Sequence, residues 1–143
     1  MEIQQTSDIT YRVYDYDRID KDGKKRELHT ELAQEAIDFG VYDDYKNHIE
    51  LSGEEASGLI KKCSTFTSYI YRLTHQTLHL PVKSANSFMI VICVAGSVKI
   101  EDTDGNREDL CVCETALIPC QTEAINIIPK EAASEVITVQ VDL

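Results

Sequence analysis

The chain has 143 residues, 43% of them hydrophobic and 27% charged, which is the size and composition of a soluble globular domain able to bury its own core. A formal net charge of -11 leaves no surplus of Lys and Arg for a phosphate backbone, so nucleic acid is excluded as a partner and an acidic membrane surface is disfavoured. The longest apolar run, Phe88 to Ala95, is too short to cross a bilayer, and the opening MEIQQTSD lacks the basic-then-apolar order of a leader, so the expectation is a cytoplasmic protein with no membrane partner.

Five cysteines with no CxxC pair do not make a disulfide framework; they read as reduced thiols, mostly buried. Cys111 and Cys113, two apart, are expected to share one face of a strand and to belong to the core rather than to a metal site.

Residues 1–18 suggest two short extended segments, Ile3 to Gln5 and Thr10 to Tyr14, joined by Thr6-Ser7-Asp8. Asp22-Gly23 is a turn signal, and Lys24, Lys25 and Arg26 beside it read as a solvated loop, although three adjacent cations could also attract a phosphate. Thr30 is placed to cap a helix from Glu31 to about Phe39, with Leu32, Ala36 and Phe39 on one face and Gly40 as its stop. Residues 41–56, rich in Asp, Asn, Glu and Gly, follow neither apolar period and read as a linker, with the acids of Glu50 to Glu55 in a solvated loop.

Beyond the linker the character changes. Thr65 to Leu73, Gln76 to Leu80, Ser87 to Val94, Ser97 to Glu101, Asp109 to Cys113, Thr115 to Ile118, Ala124 to Ile128 and Val136 to Val141 read as eight short strands parted by Gly, Pro, Asn and Asp. Eight short strands with close turns predict a mainly β protein, a jelly-roll sandwich or barrel with one N-terminal helix. Phe88, Ile90, Ile92 and Val94 fall on one face of their strand and Met89, Val91 and Cys93 on the other, so that strand is expected to be covered on both sides. Val98 and Ile100 continue the pattern after a corner at Gly96, and Thr103 to Asn106 makes a hairpin turn before Leu110 and Val112. His75 and His79, four apart in a predicted strand, lack the third ligand a metal site requires and read as solvent-facing.

The run Glu2-Ile-Gln-Gln-Thr-Ser-Asp-Ile-Thr-Tyr-Arg12-Val-Tyr-Asp-Tyr-Asp-Arg18, followed by Asp20-Lys-Asp-Gly23 and Arg26-Glu-Leu-His29, resembles the short bacterial form of type I mannose-6-phosphate isomerase. More loosely, Cys63-Ser-Thr-Phe66, Ser87 to Gly96 and Thr115 to Pro119 resemble the C-terminal cupin of that family. The resemblance implies a cupin divided into residues 1–56, a remnant of the catalytic cupin with helix and linker, and residues 57–143, the C-terminal jelly roll. It also implies interconversion of mannose 6-phosphate and fructose 6-phosphate with a zinc ion held by a Gln, two His and a Glu, which in the family precede the Glu-Ile-Gln-Gln strand. No metal or cofactor is therefore expected in this chain, and activity is expected only if another polypeptide supplies the metal half.

Two residues match family positions at the sugar. Glu2 aligns with a carboxylate lining the site, and Arg12 with an arginine that contacts substrate. Moving a proton between C1 and C2 of an aldose needs a base near carbon and a fixed cation near the developing enediolate oxygen, and a guanidinium keeps its charge throughout. In the isolated chain the plainer reading pairs Arg12 with Asp8 or Asp15 as a surface ion. Ser84-Ala-Asn-Ser-Phe88 supplies no His where metal-binding cupins carry ligands, and Glu114 stands where glycine is usual, so the second cupin reads as packing rather than chemistry.

Two functional expectations remain open. In one, Met1 is an artificial boundary or the start of a split gene, and the chain pairs with a separate N-terminal half. In the other it acts alone, as a sugar-binding or homodimerising cupin without catalysis.

Overall fold

The computed structural model describes residues 3–4, 9–43, 46, 48–83 and 86–141. The chain divides into two compact units, Met1–Tyr45 and Lys46–Leu143.

In the first unit, one helix is found among the described residues, α1 (Thr30–Ala36). It starts one residue earlier than expected and is capped by His29 without any side-chain bond, so Thr30 lies inside the helix. It stops at Ile37, which is already extended and gives its N–H to the Ala33 carbonyl. The carboxylate of Asp38 then accepts the Gly40 N–H at 2.8 Å and the Tyr42 hydroxyl at 2.6 Å, a local bonding choice that competes with another helical turn. Thr10 to Tyr14 forms no strand, and Gln5 of the other expected segment lies outside the described residues. In place of strands the unit folds into a hairpin-like loop. Asp20 Oδ1 accepts the N–H groups of Asp22 and Lys24, Gly23 turns at φ 76°, and a single bridge joins Ile19 to Lys25.

The second unit is the jelly roll. Its strands are β1 (Ala56–Lys62), β2 (Thr67–Leu73), β3 (Leu78–Pro81), β4 (Met89–Ala95), β5 (Ser97–Asp102), β6 (Arg107–Cys111), β7 (Thr115–Ile118), β8 (Ala124–Pro129) and β9 (Ser134–Gln140). All pairings are antiparallel, in a five-stranded sheet of order β1-β2-β9-β4-β7 and a four-stranded sheet of order β3-β8-β5-β6. The eight expected strands are present with ends shifted by up to two residues. β1 is the additional one, running on from the stretch expected to be a linker.

The core lies between the sheets: Met89, Val91 and Cys93 of β4 face Val98 and Ile100 of β5, Leu110 of β6, Ile125 and Ile127 of β8 and Val136 of β9. The opposite face of β4 is only half covered at Ile90, Ile92 and Val94, and Phe88 is exposed, because that side lies outside the sandwich. Two further expectations are corrected at the β6 end. Val112 is exposed, and Cys113 sits at φ 71° in the turn that leaves β6, so Cys111 and Cys113 share no strand face and both thiols are exposed. Of the five cysteines only Cys93 is buried.

The corner at Gly96 has a physical cause. Its φ of 65° is left-handed, and a Cβ there would stand 2.6 Å from Ser134 Oγ and 3.0 Å from Ser134 Cα. The hairpin at Asp102 to Asn106 closes as expected, with Asp102 accepting the backbone N–H of Asp104 and Asn106 and the Asn106 side-chain amide.

Candidate functional site

Arg12 lies in the first unit, on the arm opposite His29. Its N–H donates to His29 Nδ1 at 3.1 Å while the His29 N–H donates to the Arg12 carbonyl at 2.7 Å, so the two residues clasp each other across the loop. Because Nδ1 accepts, the neutral ring carries its proton on Nε2. The guanidinium donates from Nη1 to the Glu27 carbonyl at 3.1 Å and holds Nε 3.9 Å from Asp15. Arg12 is thus aimed by backbone contacts, and its link to Asp15 is the weaker one.

Asp15 belongs mainly to Arg26, which donates to it from both Nε and Nη2. That fork, more than any other influence, holds the Asp15 carboxyl below the ordinary carboxylate range. Asp8, the other expected partner of Arg12, lies outside the described residues, as does Glu2. Of the two candidate catalytic residues, then, only Arg12 has a described position.

Beside this clasp is a cavity of about 270 Å³ lined in part by Tyr14, Asp15, Arg18, Lys25 and Arg26. Arg26 is neutralised by Asp15 and Lys25 by Asp17 at 2.6 Å, while Arg18 lies 5.7 Å from the Tyr16 ring centroid. Tyr16 and Asp17 are both left-handed, at φ 52° and 54°. Two consecutive non-glycine residues in that region cost about 1–3 kcal/mol each and persist only where their surroundings hold them. Of the three cations expected to be a solvated loop, Lys25 and Arg26 are therefore held in ion pairs. Sequence reasoning assigned no role to Asp15 as the Arg26 partner or to His29 as the Arg12 clasp. The signal available was that all of them fall inside the one run that carries the family resemblance.

In the second unit a cavity of about 270 Å³ is bordered by Glu55, Ser57, Tyr71, Arg72, Gln76 and Leu78. Glu55, expected in a solvated loop, plugs a backbone concavity: Oε1 accepts the N–H groups of Thr74, His75 and Gln76 at 2.6 to 3.0 Å. The His75 amide first, then that of Gln76, holds this carboxyl below its usual range.

Zinc is the metal the resemblance implies, and the described residues do not fit it. Among them no group of three or more His, Cys, Asp and Glu gathers closely enough to hold an ion. His79 Nδ1 lies 2.9 Å from Asn126 Oδ1, and His29 Nδ1 is committed to the Arg12 amide.

Two antiparallel sheets in this strand order define a cupin. The match to an RmlC-like cupin protein from Desulfovibrio desulfuricans supports this fold, with TM-score 0.52 and 13% identity, covering 68% of this chain and 96% of that one. The mannose-6-phosphate isomerase of Bacillus subtilis is the more similar solved structure, with TM-score 0.69 and 26% identity, covering 93% of this chain and 40% of that one. In sequence, YvyI of the same organism, described as a putative mannose-6-phosphate isomerase, is 36% identical over 108 residues, or 71% of this chain and 32% of YvyI. No family model matches the chain. On these matches the chain belongs to the mannose-6-phosphate isomerase family, and it spans about a third of the length of the relatives it matches over most of its own. Among the described residues no helix is long and apolar enough to cross a membrane.

Proposed function

We propose that this chain is the C-terminal portion of a mannose-6-phosphate isomerase acting in the cytoplasm on a sugar phosphate, with its first unit, Met1–Tyr45, belonging to the catalytic cupin and its second, Lys46–Leu143, forming the C-terminal one. The observation that carries this reading is the 36% identity to YvyI over 108 residues. The 0.69 TM-score to the Bacillus subtilis isomerase supports it.

Interconversion of mannose 6-phosphate and fructose 6-phosphate moves a proton between C1 and C2 while negative charge grows on the carbonyl oxygen. A fixed cation lowers that barrier because it needs no reorganisation when the charge develops. In this reading Arg12 is the cation, aimed by the Glu27 carbonyl and the His29 clasp, and Glu2 lines the sugar site. The zinc and its ligands come from polypeptide outside this chain, either the same protein or a separate N-terminal half. The chain alone accordingly has no turnover.

Purified chain assayed with mannose 6-phosphate and added zinc should give no fructose 6-phosphate above background. Combined with the remaining part of YvyI as a separate polypeptide, it should give metal-dependent turnover. A rate from the chain alone comparable to that of a complete isomerase would overturn the proposal.

A further inference from the structure

A two-sheet sandwich has four edge strands, each a row of free N–H and C=O groups that can template another strand unless something blocks it. Here they are β1 and β7 of the larger sheet and β3 and β6 of the smaller. Three are blocked. β1 is broken by an irregularity between Leu59 and Lys61 and ends in Lys61 and Lys62. β6 carries Arg107, Glu108 and Asp109 among its five residues, and β3 ends in Pro81.

β7 is different. Its register with β4 is unbroken from Thr115 to Ile118, it contains neither charge nor proline, and Leu117 is 66% exposed. From Thr115 to Thr122 there is no Asp, Glu, Lys, Arg or His in a chain whose net charge is -11. Among the four described edges it alone combines no charge, no proline and no register shift, so a second copy, equally acidic, can approach it without meeting like charge on the strand itself. The apolar character continues past both ends of the edge, in Val112 before β7 and in Phe88, next to Met89, which pairs with Ile118.

We propose that β7 is a self-association edge, where two copies of this chain pair antiparallel about a two-fold axis and join their larger sheets into one ten-stranded sheet. The register follows from the alternation of faces. A two-fold axis perpendicular to the sheet keeps inner faces inner, so a residue can lie opposite itself or a residue two away, never its chain neighbour. Centring on Leu117 sets the exposed leucine against its own copy and Ala116 against Ile118 of the partner. The antiparallel arrangement also brings the Phe88 end of each copy beside the Val112 end of the other. This inference does not rest on the isomerase reading.

Sedimentation of the purified chain over a concentration series reads the outcome. The wild type should be a reversible dimer that tightens as salt rises from about 0.01 to about 1 M, because the Debye length falls from about 30 to about 3 Å and hides the repulsion between copies. Leu117→Lys should weaken it by at least ~30-fold, the effect of losing a central interface residue. Leu59→Lys, on the blocked edge, should leave it unchanged. In a background where Cys111, Cys113 and Cys120 are serine, Leu117→Cys should give a covalent dimer under mild oxidation, because directly opposed strand residues lie within disulfide reach. Since Leu117 is exposed, both Leu117 variants, kept reduced and diluted to where the wild type is monomeric, should unfold at the wild-type midpoint. A wild type that stays monomeric at every concentration and salt, or a dimer that Leu117→Lys leaves intact, overturns the proposal.

Discussion

Glu55 does at residue scale what a composition-based reading denies an acidic loop residue. One of its oxygens holds three backbone N–H groups of the turn between β2 and β3. Its folded-state pKa is depressed, so the stability it contributes is present above its ordinary value near 4.5 and is lost as pH falls through the lower folded value. Glu55→Ala should therefore lower the thermal midpoint at neutral pH and should also flatten the acid limb of a midpoint-against-pH curve. Glu55→Gln, which keeps an acceptor oxygen but no charge, should fall between. Equal midpoints for Glu55→Ala and wild type at neutral pH, or a gap between them that stays constant as pH falls through 4.5, would deny the residue this role. Arg12 can be separated from mere structure in the same way. In the two-part enzyme Arg12→Ala should cut turnover more than it lowers the unfolding midpoint, whereas equal losses would leave it a structural residue.

Among elements, the stretch expected to be a linker is in part a strap on the β1–β2 pair. Arg72 Nη1 donates to the Leu51 carbonyl at 3.1 Å, Thr74 Oγ1 donates to the Glu54 carbonyl at 2.7 Å, and Ile49 and Leu51 lie over Gly58. A Cβ at Gly58 would stand 2.6 Å from Ile49 Cγ2. Gly58→Val should lift the strap, read as faster amide exchange in residues 48–55 with β4 and β9 unchanged. Gly96→Ala meets both left-handed strain and the backbone of Ser134, and should cost about 1–3 kcal/mol in a denaturant titration. The strap escaped the sequence reading because it has no period: it is held by carbonyls and a turn, and only Ile49 and Leu51 pack. β1 escaped with it, as an edge strand interrupted by Gly58 and a register shift.

On the scale of the whole molecule the two units differ in what holds them. The jelly roll has a continuous core in which Val91, Val98, Ile127 and Val136 are fully enclosed. Among the described residues of the first unit only Ala33 is buried, and Tyr14, Tyr16, Ile19, Phe39 and Val41 are all exposed. Ile127→Ala should thus cost about 2–5 kcal/mol of jelly-roll stability. Amides of residues 9–43 should exchange far faster than those of β4, β8 and β9, and limited proteolysis should cut there first. Slow exchange throughout residues 9–43 in the isolated chain would show that the first unit is stabilised by something other than a core of its own.

The sequence by itself determined the mainly β class, eight of the nine strands, the corner at Gly96 and the family, because each rests on local signals: a two-residue apolar period, turn residues at fixed offsets, and an ordered run of residues around Arg12. Only the tertiary structure decided which face of β4 is sealed, that Val112 and most of the thiols are exposed, that Glu55 and Arg12 are held by backbone groups far along the chain, and that β7 is the unguarded edge. Those outcomes depend on which strands become neighbours. Strand neighbours are set by packing across the sandwich, over separations that no window of sequence spans.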